Sequence, residues 1–182
     1  MEKRIAIYAG SFDPITRGHM WMIEQGSLLF DKLYVVVAYN ADKKNKMMFA
    51  IEDRFCMVKK CCEDIVDFSN EDLGNNIEVR ISENILTADF AKQLNAQYIL
   101  RGIRNVSDFE YEKTTRHINR DIQMSIETVY LIPPREISEV SSSMVKGMMD
   151  YEGWERIVGK YAPSHVVKEL VERKKRQCLT KS

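Results

Sequence analysis

The sequence predicts a doubly wound α/β domain built on a five-stranded parallel sheet. Three observations carry that prediction: short Val-, Ile- and Tyr-rich runs alternate with helix-period segments, most of the chemically unusual residues follow strands, and 182 residues suit one domain. Strands are expected at 4–9 (RIAIYA), 32–39 (KLYVVVAY), 77–81, 98–101 and 127–132 (ETVYLI). The second and fifth are nearly continuous in apolar character, the pattern of strands covered on both faces. Helices are expected at 18–29, at 51–66 with Phe55, Val58, Cys62 and Ile65 on one stripe, and at 87–94. A fourth is expected to start at Ser107, where Ser107-Asp108-Phe109-Glu110 fits a capping box, and to run to about residue 122. Ser141 is positioned to cap a helix through 149, and Pro163 to open a last one over 164–176. Residues 1–150 read as the α/β domain and 151–182 as a C-terminal helical extension of it.

Composition narrows the function. The 27 basic and 27 acidic residues cancel, so no global field draws the chain to nucleic acid or to a membrane. No apolar run approaches the length of a membrane span, and no signal-peptide core follows Met1. Cys56, Cys61, Cys62 and Cys178 lack disulfide-framework or zinc spacing, and no histidine lies near them in sequence. Reduced thiols in a cytoplasmic protein are expected, with no protein-held metal site.

A neutral chain that binds an anion must do so with local clusters. Ligands of open α/β sheets sit beyond the carboxyl ends of the strands, and four such connections here carry glycines, hydroxyls and cations. The first is Ala9-Gly10-Ser11-Phe12-Asp13-Pro14-Ile15-Thr16-Arg17-Gly18-His19. The second is Asn40-Ala41-Asp42-Lys43-Lys44, and the third is Arg101-Gly102-Ile103-Arg104. The fourth runs from Pro133-Pro134-Arg135 to Ser141-Ser142-Ser143-Met144-Val145-Lys146. Gly10 lets backbone approach a phosphate, and Thr16-Arg17-Gly18-His19 turns the chain into a helix whose amides favour an anion. His19 is expected to face phosphates, with Gly18 leaving room for a nucleotide ring or sugar. Arg101 and Arg104 flank one glycine and can each address a phosphate. A cap needs one hydroxyl, so three serines in a row at a helix start suit an anion better. Singly, each residue has a structural explanation as turn, cap or solvated charge; together they point to one polyanion cradle.

These motifs resemble the bacterial phosphopantetheine adenylyltransferases, within the nucleotidyltransferase superfamily that carries a T/H-x-G-H signature. The resemblance rests on Gly10–His19, on Arg101-Gly102-x-Arg104 with Val106–Glu112, on Asn119-Arg120, and on Ser141-Ser142-Ser143-x-Val145-Lys146. It implies a Rossmann-like nucleotidyltransferase fold and transfer of the adenylyl group of ATP to 4′-phosphopantetheine. It implies catalytic roles for His19, Lys43 and Arg104, and ATP contacts at Ser11, Phe12, His19, Gly102, Ile103, Arg104, Glu112, Ile137, Ser141, Ser142 and Ser143. Acceptor contacts are implied at Ser11, Lys43, Thr87 and Arg101, together with Mg²⁺ and a homohexamer. Departures from the family pattern occur at Ala9, Arg17, Asn45-Lys46, Ile137 and Glu139, and at Lys113-Thr114-Thr115-Arg116, expected to border the acceptor pocket. Two alternatives remain at this point: the same chemistry on another phosphorylated acceptor, or a non-catalytic paralogue that binds nucleotide or coenzyme A.

Overall fold

Strands β1 (Ile5–Gly10), β2 (Lys32–Ala38), β3 (Ile77–Ser82), β4 (Tyr98–Gly102) and β5 (Glu127–Leu131) form one sheet in the order β3-β2-β1-β4-β5. The structure is a computed structural model and describes residues 2–39, 47–68 and 75–179. Every pairing is parallel; β1 registers Ile5 against Lys32 of β2, and Ile7 against Ile99 of β4. Helices α1 (Arg17–Leu29), α2 (Ile51–Phe68), α3 (Thr87–Gln93) and α4 (Val106–Ile122) alternate with the strands. Beyond β5 lie α5 (Arg135–Ser138), α6 (Ser142–Met148), α7 (Trp154–Val158) and α8 (Ser164–Leu179).

The central strands hold the core because they are apolar on both faces. Ala6, Ile7, Leu33, Val35, Val37, Ile99 and Leu100 are all fully buried. One face packs against α1 and α2 through Met22, Ile23, Met57 and Val58, and Trp154, Val158, Val166 and Leu170 of the C-terminal helices join that cluster. The other face packs Ile7, Val36 and Ile99 against Ala91 of α3. No helix among the described residues is long and apolar enough to cross a membrane.

Several expectations change. β5 lies at the sheet edge with no fully buried residue, so its apolar run does not mark a strand covered on both faces. Helix α4 starts earlier than the Ser107 box predicts. Asn105 is its cap, accepting the Asp108 amide at 2.8 Å, while Glu110 pairs with Lys113 instead of reaching back. An asparagine two residues upstream competes well for this role, and the serine is left on the exposed first turn. The one-turn helices α5 and α7 are too short to show a periodic signal. A histidine does lie near the thiols: His165 Nε2, far along the chain, is 3.5 Å from Cys61 Sγ. Cys61 and Cys62 are buried and free, and burial pushes the Cys62 thiol up to about 12.

Leu33 is fully buried where β2 meets α1. Leu33→Ala is expected to lower unfolding free energy by about 2–5 kcal/mol, the range for emptied core sites. Urea denaturation checks this, and a loss below about 1 kcal/mol would place Leu33 outside the tight core.

Candidate active site

The crossovers from β1 and from β4 diverge, and this switch point opens the sheet at its carboxyl edge. Two clefts meet there. The narrow cleft, about 320 Å³, is bounded by Tyr8–Ser11 of β1 and its loop, by Gly18, His19 and Met22 of α1, and by Arg101, Gly102 and Arg104 after β4. Glu112 of α4, Pro133, Ile137, Val140 and Ser141–Ser143 close it. The wide cleft, about 820 Å³, shares Ala9, Gly10, Ser11 and Arg101 with the first and extends past Thr87, Tyr111, Thr115 and Asn119. Residues 9–11 and Arg101, distant in sequence, thus form a common wall.

His19 is placed by its own helix. The Thr16 backbone N–H donates to Nδ1 at 3.0 Å, so the imidazole serves the turn as glutamate does in a capping box. A backbone N–H can only donate, so Nδ1 carries no proton in the neutral ring and Nε2 bears it. Burial, then the charge of Arg104, lowers the His19 pKa to about 4. The resting ring is therefore an uncharged N–H donor on the cleft wall. Phe12 supports it from below, edge-to-face at 5.2 Å between centroids. Phe12 itself is buried at φ 47°, a left-handed conformation rare for a bulky residue.

Both arginines meet carboxylates. Arg101 Nε and Nη2 donate to Glu112 at 2.8 and 2.5 Å, and Nη1 donates to the Ala9 carbonyl at 3.1 Å. The fork is held flat against the shared wall with further N–H groups left to offer. Arg104, more exposed, is held by Asp108 at 2.8 Å. Gly18 bounds the narrow cleft, and its lack of a side chain also lets α1 approach the segment before α6, since a Cβ there would stand 3.1 Å from the Val140 carbonyl.

Of the residues expected at the site, Ser11, His19, Gly102, Arg104, Glu112, Ile137, Ser141, Ser142 and Ser143 line the narrow cleft, and Ser11, Thr87 and Arg101 the wide one. Two side chains do not. Phe12 points into the core because its positive φ turns it downward, and Ile103 lines neither cleft, its amide closing a sheet bond to the Leu131 carbonyl. Lys43 lies outside the described residues. The serine run is also not a free triplet of hydroxyls. Ser141 caps α6 by accepting the Met144 amide, and Ser142 Oγ donates to the Pro14 carbonyl. Arg17 lines neither cleft; it borders a separate pocket with Glu24 and Asp64.

In the departing stretch only Thr115 lines the wide cleft; Lys113 pairs with Glu110 and Arg116 with Glu127. Glu139 is exposed and lines neither cleft, and its charge helps hold the Arg104 pKa up after that of Asp108. Tyr8, Met22 and Val140 were missed as narrow-cleft walls, as was the supporting carboxylate of Asp13. The i, i+4, i+8 spacing of Tyr111, Thr115 and Asn119 could have shown that they share one face.

A cytidylyltransferase-like family model matches residues 7–148. A phosphopantetheine adenylyltransferase of Neisseria meningitidis serogroup C (strain 053442) is 41% identical over 169 residues, 92% of each chain. One from Clostridium botulinum (strain Alaska E43 / Type E3) is 41% identical over 172 residues, 94% of this chain and 99% of its own. Among solved structures, the nicotinic acid mononucleotide adenylyltransferase of Plasmodium falciparum complexed with NaAD superposes with a TM-score of 0.65 at 22% identity. That match covers 94% of this chain and 96% of the other, and the likeness is one of fold.

The His19 assignment has a pH consequence. The unfolded ring takes a proton near 6.5 and the folded ring near 4, so the unfolded state binds more protons between those values. Stability is then lost as pH falls through this window. His19→Gln is expected to lose that part of the dependence. Urea midpoints at pH 7 and 5 for both proteins test it, and equal shifts would overturn the assignment.

Proposed function

The chain belongs to the cytidylyltransferase-like family and groups with phosphopantetheine adenylyltransferases, and on that premise we propose that it transfers the adenylyl group of ATP to 4′-phosphopantetheine. The products are dephospho-coenzyme A and pyrophosphate. The observation that carries the reading is the shared wall of the two clefts. A nucleotide in the narrow cleft and a phosphorylated acceptor in the wide one would meet at Ser11 and Arg101. The wide cleft offers apolar Ile85 and Leu86 beside polar Thr87, Thr115 and Asn119, which suits a long arm with spaced amides.

In the reaction an acceptor-phosphate oxygen attacks the α-phosphorus, and the bond to the α,β-bridging oxygen breaks. The nucleophile is already ionised at neutral pH, so no general base is needed. The difficulty is bringing two anions into line and offsetting the charge that develops. Arg101 and Lys43 hold the acceptor phosphate. His19 directs its Nε2–H at the α-phosphate as a neutral donor, acting through a fixed dipole in place of a formal charge. Arg104 and the segment 141–143 face the leaving phosphates, while Gly102, Glu112 and Ile137 bound the rest of the nucleotide. Phe12 and Ile103 contribute backbone and support.

No three acidic, histidine or cysteine side chains gather as a metal site among the described residues, and Glu112 is engaged by Arg101. Mg²⁺, which the family resemblance implies, would enter with the nucleotide as MgATP and offset phosphate charge. A homohexamer in the cytoplasm completes the reading. Exposed Val106, Phe109, Ile118, Met124 and Ile132 on α4 and around β5 give copies of the chain an apolar face to cover.

Purified protein with ATP, Mg²⁺ and 4′-phosphopantetheine is expected to release pyrophosphate and form dephospho-coenzyme A. Binding of ATP with no pyrophosphate on this acceptor would end the proposal. His19→Ala is expected to lower kcat about 10²–10³-fold, with ATP affinity changed far less. Equal losses in both would make the imidazole a ground-state phosphate ligand.

A further inference from the structure

Beneath the first loop lies a charged cluster that touches neither cleft. Asp13 is 1% exposed, and its carboxylate gathers donors from two distant segments. Oδ1 accepts the Phe49 amide at 2.9 Å, while Oδ2 accepts the Met48 amide at 2.9 Å and the Lys146 ammonium at 2.8 Å. Residues 48 and 49 follow the connection that contains Lys43, and Lys146 belongs to α6, whose first turn lines the narrow cleft. The same loop is fixed at two further points. Arg54, also 1% exposed, donates through Nη1 to the carbonyls of Ser11 and Ala38 at 2.6 and 3.1 Å. Ser142 Oγ donates to the carbonyl of Pro14 at 2.8 Å.

Lys146 sits among the rim cations of the sequence, yet its ammonium is committed to Asp13 and lines neither cleft. A buried ion pair is weak evidence for stability, because removing two charges from water consumes most of what their attraction returns. What the pair does supply is direction: a carboxylate with donors on both sides fixes where each must stand. We propose that Asp13 is a positioning residue that joins the acceptor-side segment 48–49 to the nucleotide-side helix α6, and so sets the alignment of the two substrates across Ser11. The inference rests on the reaction proposed above.

Each cleft keeps its own ligand groups when this link is cut, so alignment suffers more than binding. Asp13→Asn can still accept both amides on Oδ1, from Met48 at 3.1 Å and from Phe49 at 2.9 Å, but turns an NH₂ toward the ammonium. Asp13→Asn is expected to lower kcat at least about tenfold, with the ATP Kd and acceptor KM each within about threefold of wild type. Lys146→Met, which cuts the link from its more exposed end, is expected to do the same. The double variant Asp13→Asn with Lys146→Gln, which rebuilds a neutral hydrogen bond, is expected to recover most of kcat. Hydrogen exchange provides a readout free of turnover, with faster exchange expected at 11–16 and 141–146 in both single variants.

An unchanged kcat with unchanged exchange overturns the inference. So does a loss of ATP affinity in Lys146→Met that matches its loss of kcat, since that would make Lys146 a phosphate ligand. If Asp13→Asn does not fold, Lys146→Met and its exchange pattern decide. Wild-type protein that shows no turnover defeats the proposed reaction, and the exchange comparison alone then decides the role of Asp13.

Discussion

The guanidinium of Arg101 is the contact on which the site depends. It stands where β1 and β4 lie side by side, donates to the Ala9 carbonyl at the end of one strand, and grips Glu112 of the helix that follows the other. Without that grip Glu112 of α4 loses its charged tie to β4, and the wall between the clefts has no fixed surface. A point charge could not replace it, because the arrangement needs a planar fork that meets a carboxylate with two parallel bonds while presenting a third donor elsewhere.

A cradle for polyanions must also persist when empty. Two arginines crowded at one rim repel each other, and here each is matched with its own carboxylate, Arg101 with Glu112 and Arg104 with Asp108. His19 is kept uncharged by burial and by the neighbouring guanidinium. Among the described residues the narrow cleft therefore stays close to neutral while its donors are already placed. A phosphate that enters finds dipoles in place and has little protein to reorganise, the condition under which such groups stabilise developing charge well.

The fold was legible because its signals are local. Five apolar runs, each followed by a turn-rich connection, specify strands, and their alternation with helices specifies parallel order. The residues of the narrow cleft were legible for a related reason: the edge of a parallel sheet collects the segments that follow its strands. What could not be read was contact between distant positions. The Asp13–Lys146 pair, the Arg54 clamp on Ser11 and the approach of His165 to Cys61 join residues with no periodic relation. The direction of the Phe12 ring depends on one backbone angle that a motif does not encode. The competition between Asn105 and Ser107 to start α4 was decided by one hydrogen bond, and edge against interior for β5 by sheet order.

Helix α4 serves the two clefts from different faces. Glu112 turns to the narrow one, Tyr111, Thr115 and Asn119 turn to the wide one, and Lys113 and Arg116 engage Glu110 and Glu127. Substitutions along the wide-cleft stripe would thus reshape the space offered on that side while the grip of Arg101 on Glu112, on another face of the same helix, stays in place.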